Sequence, residues 1–184
     1  MFTIDNVTLR PLETNDIDTL YTWEHDIELS IRAGWTPVLS HSAFRQRYEQ
    51  RITEPERNRR TFAIVYEGRF VGFIELVLIE EYERRALISI LIGAKELWGR
   101  GIGSTAMRIL LDYAFTVRGL ERVYTEVYGF NERSQRLMER VGFQREGILR
   151  QHDVHNGVRQ DMHVFGILKP EFYAKYETLF KLPS

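Results

Sequence analysis

Three alternating glycines, Gly99, Gly101 and Gly103, stand between an apolar run and a long amphipathic segment. Glycine lets the backbone approach a ligand closely, and the first N–H groups of a helix have no acceptor inside that helix. Together with the helix dipole, such a turn can bind a phosphate group. The spacing therefore predicts an anion-binding loop at the start of a helix, although a plain flexible turn would show the same glycines.

The residues around these glycines argue against two common phosphate-binding motifs. A P-loop needs Gly-Lys-Ser/Thr, and no lysine lies between Glu96 and the end of the following helix. A dinucleotide-binding fingerprint needs glycine at the position of Ser104 and normally opens the first βαβ unit of a parallel sheet. Here an antiparallel meander comes first. Glu126 follows the glycines at a sequence distance that would suit a ribose-binding acid. Both nucleotide-binding interpretations nevertheless lack required residues of their motifs.

Glu75 is the most conspicuous carboxylate, because it interrupts the apolar residues 73–77. A charge inside an apolar strand is costly unless it is paired or faces a cleft. Glu75 is therefore either a functional group or the partner of a base such as Arg84 or Arg85. His152, Asp153 and His155 form a second cluster that could supply a base through water; the histidines lack the spacing of a metal site, and no metal is expected.

Composition limits the function classes. The chain has 184 residues, of which 43% are hydrophobic and 28% charged, and no linker divides it, so residues 1–184 are predicted to form one domain. The absence of cysteine excludes disulfides, thiol catalysis and cysteine-ligated metals. A net charge of −1 argues against nucleic-acid binding. With no signal or membrane-spanning pattern, we expect a cytoplasmic protein without a membrane partner.

Hydrophobic periodicity predicts an α+β fold around one mostly antiparallel sheet. Helices are predicted to begin at Thr14, at Ser40 or Ser42, after the glycine loop, at Asn131 and at Pro170, the last one carrying Phe172, Tyr176 and Phe180. The predicted strands are residues 7–10, 61–66, 70–79, 86–92, 123–128, 148–155 and 158–168. Residues 86–92 are apolar on both faces, which predicts a central strand.

Two segments resemble the GNAT N-acetyltransferases. Residues 97–103 (LWGRGIG) are similar to the acetyl-CoA pyrophosphate loop of that superfamily, and residues 131–143 are similar to its second cofactor segment. Residues 9–12, 72–76, 84–86 and 112–117 look like the RimJ/RimL and SpeG-like branch. The resemblance covers nearly the whole chain. It implies a GNAT-like fold with splayed central strands, and acetyl transfer from acetyl-CoA to a primary amine by direct attack.

The resemblance also implies a set of cofactor-binding residues in the central strand, the glycine loop and the start of the next helix. Trp98 stands where the wider superfamily often has Gln or Arg. Asn131 has a second interpretation, because asparagine is also a preferred helix N-cap residue. The implied residues are Ile90, Leu91, Ile92, Trp98, Gly99, Arg100, Gly101, Ile102, Gly103, Ser104, Asn131 and Ser134.

The residues at the catalytic positions match the family less well than the cofactor-binding residues do. In RimL-like proteins the serine matching Ser134 is proposed as the acid that meets the departing thiolate, whereas SpeG-like proteins use a tyrosine where this chain has Met138. The SpeG-like glutamate is replaced by Leu87, which leaves Glu75 as the candidate base or amine contact. These departures keep open an alternative, a non-catalytic acetyl-CoA-binding module.

The acceptor is not specified by the sequence. The resemblance allows a protein N-terminus, a polyamine or another small amine, and it leaves a homodimer open. The acidic residues that the SpeG branch uses for polyamines are missing, since residues 34–37 (GWTP) and Leu78 stand in their places.

Overall fold

The computed structural model describes residues 2–35 and 38–181. Thr36 and Pro37, part of the stretch that replaces the acidic residues of the SpeG branch, lie outside them. The strands are β1 (Phe2–Ile4), β2 (Val7–Pro11), β3 (Arg60–Tyr66), β4 (Arg69–Glu80), β5 (Arg85–Ile92), β6 (Arg122–Tyr128), β7 (Gln144–His155) and β8 (Val158–Leu168). The α-helices are α1 (Ile17–Glu24), α2 (Ile27–Ala33), α3 (His41–Thr53), α4 (Ile102–Asp112), α5 (Glu132–Val141) and α6 (Lys169–Lys175).

All eight strands belong to one sheet in the order β1-β2-β3-β4-β5-β6-β8-β7. Each neighbouring pair is antiparallel except β5 and β6. The α+β fold is therefore confirmed, and β5 is central as its two apolar faces predict.

The central strands separate along their length. β5 and β6 pair in parallel only from Arg85 opposite Arg122 to Leu87 opposite Tyr124. Beyond this point the last residues of β5 have no partner in β6, which confirms the predicted splay. The divergence opens a gap between the two strands at the end where β5 leads toward the glycine loop.

The two faces of the sheet carry different layers. Ile74 and Ile88 face the main core with α4 and α5, whereas Phe73 and Leu91 face a smaller core with α1, α2 and α3. Side chains alternate along a strand, so Glu75 lies on the same face as Phe73. The register places Glu75 opposite Ser89, on the face that α1, α2 and α3 cover.

Two elements are missing from the prediction, and two boundaries differ clearly from the structure: β7 begins at Gln144 and not at 148, and the last helix ends early. β1 and α2 are absent from the prediction, because three residues at a sheet edge and a seven-residue helix carry little periodic signal. The last helix ends at Lys175, earlier than predicted, because Tyr176 has an extended backbone. At the start of α3 the N-cap is Ser40, whose hydroxyl accepts from the Ala43 N–H.

Candidate active site

The first candidate site is a cavity of about 700 Å³ at the divergence of β5 and β6, which we call the splay cavity. Its walls come from α2, the end of β5, the glycine loop and the first turns of α4 and α5. Every predicted cofactor-binding residue except Arg100 lines it: Ile90, Leu91, Ile92, Trp98, Gly99, Gly101, Ile102, Gly103, Ser104, Asn131 and Ser134. The splay and the loop therefore meet at one cavity.

The glycine loop presents open backbone to this cavity. Gly99 and Gly101 have φ of +85° and +82°, a conformation that other residues rarely adopt, and a Cβ added at either would enter free space. Gly101 precedes the first turn of α4, where the leading N–H groups have no acceptor inside the helix. The buried Ser104 hydroxyl has no hydrogen-bond partner within the described residues. These groups fit a phosphate.

The charged residues around the cavity also favour an anionic ligand. Arg32, Arg133, Arg136 and Arg140 line it against the single carboxylate of Glu132. Burial, followed by the neighbouring Arg32, lowers the pKa of the Arg133 guanidinium from its usual value. An anion at this position would relieve that repulsion, so the residues present suit a ligand with several phosphate groups.

Trp98 is fixed between the strand and two arginines. Its indole N–H donates to the Ile92 carbonyl over 2.8 Å, and the guanidinium of Arg133 lies 4.1 Å from the ring centre. The Ile92 carbonyl therefore already has a donor. The expectation that β5 contributes to cofactor binding therefore rests on Ile90 and Leu91, beside it.

Asn131 and Ser134 begin α5 at the mouth of the cavity. The Asn131 side chain accepts from the Ser134 N–H over 3.2 Å and donates to the Arg32 carbonyl over 3.3 Å. Asn131 thus caps α5 and ties it to α2, which confirms the N-cap interpretation. The Ser134 hydroxyl has no hydrogen-bond partner among residues 2–35 and 38–181, so it can interact with a ligand. Met138, one turn later, is buried in the core.

Glu75 lines a second cavity of about 610 Å³, the helix-side cavity, between α1, α3, the end of α2 and the sheet. Its Oε2 accepts from the Arg59 guanidinium over 2.9 Å and from the Thr61 hydroxyl over 3.0 Å. In the described part of the chain, Oε1 has no hydrogen-bond partner. The carboxylate is thus held through one oxygen while the other is free for a ligand.

The predicted partners of Glu75 are wrong. Arg84 pairs with Glu121 over 2.9 Å, and Arg85 pairs with Glu80 over 3.0 Å. Both arginines sit at the far end of the β4–β5 hairpin, where Glu80 stands opposite Arg85. Arg59 reaches Glu75 instead, because it immediately precedes β3, the neighbour of β4.

Ser134 and Glu75 do not line the same cavity, but the two cavities lie next to each other. Leu91 lines the splay cavity and its strand partner Phe73 lines the helix-side cavity. The Trp35 ring stacks on Phe73 with ring centres 6.0 Å apart. The two cavities therefore adjoin at the Leu91–Phe73 pair of β5 and β4.

The histidine cluster is mainly a packing feature. His155 is buried with its ring 5.3 Å from that of Tyr128, whose hydroxyl donates to Asp153 over 3.4 Å. His152 is exposed, and neither histidine lines the splay cavity or the helix-side cavity. Burial, reinforced by Asp153, raises the pKa of Tyr128.

Besides Glu75, six charged residues line the helix-side cavity, and none of them is among the predicted site residues: Glu24, Arg47, Arg51, Glu56, Arg59 and Arg60. They stand in helices, in a loop and at the start of β3, at positions that carry no motif. Only the packing of α1 and α3 on the sheet brings them together.

Comparison with known proteins identifies the family. Residues 6–144 match the family model described as an acetyltransferase (GNAT) domain. The chain belongs to the GNAT acetyltransferases. As a GNAT enzyme it is an acetyl-CoA-dependent N-acetyltransferase, which removes the non-catalytic alternative.

Its relatives confirm the predicted branch. The chain is 30% identical to p20, an uncharacterised N-acetyltransferase of Bacillus licheniformis, over 91% of this chain and 96% of the relative. It is 29% identical to the spermidine N(1)-acetyltransferase of Escherichia coli K12 over 94% and 91%. YdaF of Bacillus subtilis 168, provisionally named a ribosomal N-acetyltransferase, is 32% identical over 91% and 94%.

A solved structure confirms the GNAT fold. The spermidine N-acetyltransferase of Vibrio cholerae, in complex with CoA and spermine, superposes with a TM-score of 0.83 at 28% identity, over 91% of this chain and 98% of the other. In residues 2–35 and 38–181, no helix has the length and apolarity for a bilayer crossing. The same residues contain no cluster of three or more potential metal ligands.

Proposed function

We propose that this enzyme acetylates the primary amine of a small molecule that enters the helix-side cavity, while acetyl-CoA lies in the splay cavity. The observation that carries the proposal is the adjacency of the two cavities at the paired residues Leu91 and Phe73, because it brings an amine and a thioester to neighbouring parts of β4 and β5. A volume of about 610 Å³ is within the range of small-molecule sites. The family match ends at residue 144, and we propose that residues 1–184 form one domain.

In this proposal the splay cavity holds the phosphates. The N–H groups of Ile102, Gly103 and Ser104 and the guanidinium of Arg133 bind the pyrophosphate. The backbone of Ile90 and Leu91 orients the rest of the ligand along the unpaired edge of β5. Bound acetyl-CoA supplies a thioester whose carbonyl carbon is open to attack.

Two side chains carry out the proton transfers in this proposal. The neutral amine forms the C–N bond as the C–S bond breaks, and Ser134 donates a proton to the sulfur and recovers one from solvent. Glu75, held by Arg59 and Thr61, orients the amine through Oε1 and accepts the proton that nitrogen loses. No covalent enzyme intermediate is needed, which agrees with a chain without cysteine.

A screen of acceptors tests the function. Release of free CoA thiol from acetyl-CoA is measured with small amines, spermidine and N-terminal peptides as acceptors. The proposal predicts amine-dependent release with a small amine. Release with N-terminal peptides alone would assign the acceptor to protein instead, and release that no amine stimulates would contradict acetylation in the helix-side cavity.

Glu75→Gln is expected to lower kcat/KM for the amine by about 10²-fold or more, because the amide cannot accept the proton. The loss of stability should be on the order of 1 kcal/mol, since Glu75 and Arg59 keep 15% and 28% exposure and the Thr61 bond remains. Steady-state kinetics and urea unfolding measure the two effects. Glu80→Gln, on the same strand but paired at the hairpin, is the control. Normal turnover in Glu75→Gln would transfer the role to water or to His152.

The free edge of the sheet supports a homodimer. β7 pairs with β8 on one side only and exposes Ile148, Leu149 and Val154 by 48%, 37% and 57%. An edge strand with apolar side chains is a template for pairing with a second copy. We expect a dimer in sedimentation velocity and a shift toward monomer in Ile148→Lys. A wild-type protein that sediments as a monomer at all concentrations would contradict this assignment.

A further inference from the structure

The helix-side cavity is not an acidic pocket. Its ionisable walls contain three carboxylates and four guanidinium groups: Glu24, Glu56, Glu75, Arg47, Arg51, Arg59 and Arg60. A site for a polycationic amine needs an excess of carboxylates, because each ammonium group brings a positive charge. The cavity has the opposite excess.

Within the cavity, a larger share of the carboxylates than of the guanidinium groups already has an ion-pair partner. Arg59 bonds to Glu75 over 2.9 Å and lies 3.7 Å from Glu56. Arg60 donates to the backbone carbonyl of Glu56 over 2.9 Å. Two of the three carboxylates therefore already have a cation beside them.

Arg47 and Arg51 are the cationic groups that remain. They lie one turn apart on α3, and neither forms a salt bridge within residues 2–35 and 38–181. Arg51 lies 5.4 Å from the ring centre of Tyr48, which also lines the cavity. Two guanidinium groups with free donors on one helix face suit a carboxylate or a phosphate group.

Glu24 does not cancel this charge. It faces Arg47 and Arg51, yet burial is the dominant effect and raises the pKa of its carboxyl above the usual value. As one carboxylate, Glu24 also offers a single charge against the two of Arg47 and Arg51. An incoming anion would meet cations on α3, whereas Glu75 lies across the cavity on β4.

We propose that the acceptor is a primary amine that also carries an anionic group, a carboxylate or a phosphate. Arg47 and Arg51 bind the anionic group, and the amine points to Glu75 and toward the splay cavity. This inference rests on the proposed acetylation in the helix-side cavity and narrows its substrate class. It separates this enzyme from relatives named for spermidine, whose acceptor is a polycation.

The test uses pairs of amines that differ by one anionic group. Tyrosine is compared with tyramine for the carboxylate, and glucosamine 6-phosphate with glucosamine for the phosphate, with spermidine as the polycation. At least one member with the anionic group should exceed its partner without that group about 10-fold in kcat/KM, and spermidine should be the poorer substrate. The pair that responds identifies the anion. A preference for spermidine, or equal rates within both pairs, would overturn the inference while leaving acetyl transfer intact.

Variants of α3 assign the preference to the two arginines. In Arg47→Gln and Arg51→Gln, the ratio of kcat/KM for the amine with the anionic group to that for its partner without it should fall about 10-fold toward one. The fall should come from a higher KM for the amine with the anionic group. Arg45→Gln is the matched control, because Arg45 lies on the same helix, pairs with Asp18 and Glu49, and lines neither described cavity. A ratio that persists in both variants would overturn the proposed anion site.

A binding measurement separates this inference from the proposed function. The CoA-loaded protein is titrated calorimetrically with tyrosine and with glucosamine 6-phosphate. Binding that weakens about 10-fold in Arg51→Gln supports the anion site even if no probe is acetylated, a result that would overturn the proposed function alone. Absence of binding by both probes, or equal binding in the variant, overturns the inference.

Discussion

Gly101→Asp is expected to abolish the rise in melting temperature that acetyl-CoA causes in the wild-type protein. A ligand that binds only the folded state at about 100 times its Kd adds roughly 2.7 kcal/mol, or about 5–10 °C for a chain of this size. The aspartate would place a side chain in the free space beside Gly101 and a negative charge at the proposed phosphate site. Differential scanning fluorimetry with and without acetyl-CoA measures the effect.

Gly68→Asp is the matched control. Gly68 has φ of +81° and open space where a Cβ would lie, as Gly101 does, but it is in the β3–β4 hairpin. Both variants therefore have a similar backbone strain, and only one should lose the ligand response. A normal acetyl-CoA response in Gly101→Asp would contradict the phosphate site. A response of the wild type to NAD, with none to acetyl-CoA, would contradict the assigned ligand.

Ser134→Ala is expected to lower kcat by about 10- to 1000-fold with little change in acetyl-CoA binding. A hydroxyl that meets the sulfur only as the thiolate leaves contributes to the transition state and not to the ground state. The Ser134 backbone N–H still bonds to Asn131 in the variant, so the cap of α5 remains. Steady-state rates with an acceptor from the screen, together with calorimetric binding of acetyl-CoA, separate the two effects.

Two comparators make the Ser134 result specific. Ser42→Ala removes an exposed helical serine and should change neither rate nor binding. Met138→Ala removes a buried side chain and should lower the free energy of unfolding by about 2–5 kcal/mol. Full kcat in Ser134→Ala together with loss of kcat in Tyr128→Phe would move the acid to Tyr128. If neither variant loses kcat, the thiolate leaves without a protein acid.

The sequence predicts the fold wherever one strong local signal exists. The two-sided apolar pattern of residues 86–92 is explained by the central place of β5, and Asn131 caps α5 through its own side chain. The glycines of the loop mark backbone that other residues rarely adopt. In each of these cases the cause lies within a few residues of the effect.

The helix-side cavity is not predictable in the same way. Glu75 and Arg59 are 16 residues apart and meet only through the pairing of β3 with β4. Arg47 and Arg51 line the cavity because α3 packs against the sheet, and helical periodicity does not specify that packing. The sequence therefore predicts the ligand with phosphate groups better than it predicts the acceptor.

The most direct test of acetyl transfer to an amine counts both products of one reaction. The wild-type protein is incubated with acetyl-CoA and the best acceptor from the screen, and free thiol and acetylated amine are quantified together, the latter by mass spectrometry. The proposed function predicts one N-acetylated amine for each thiol released, with both signals lost in Gly101→Asp. Thiol release accompanied by acetate, without acetylated amine, would contradict it.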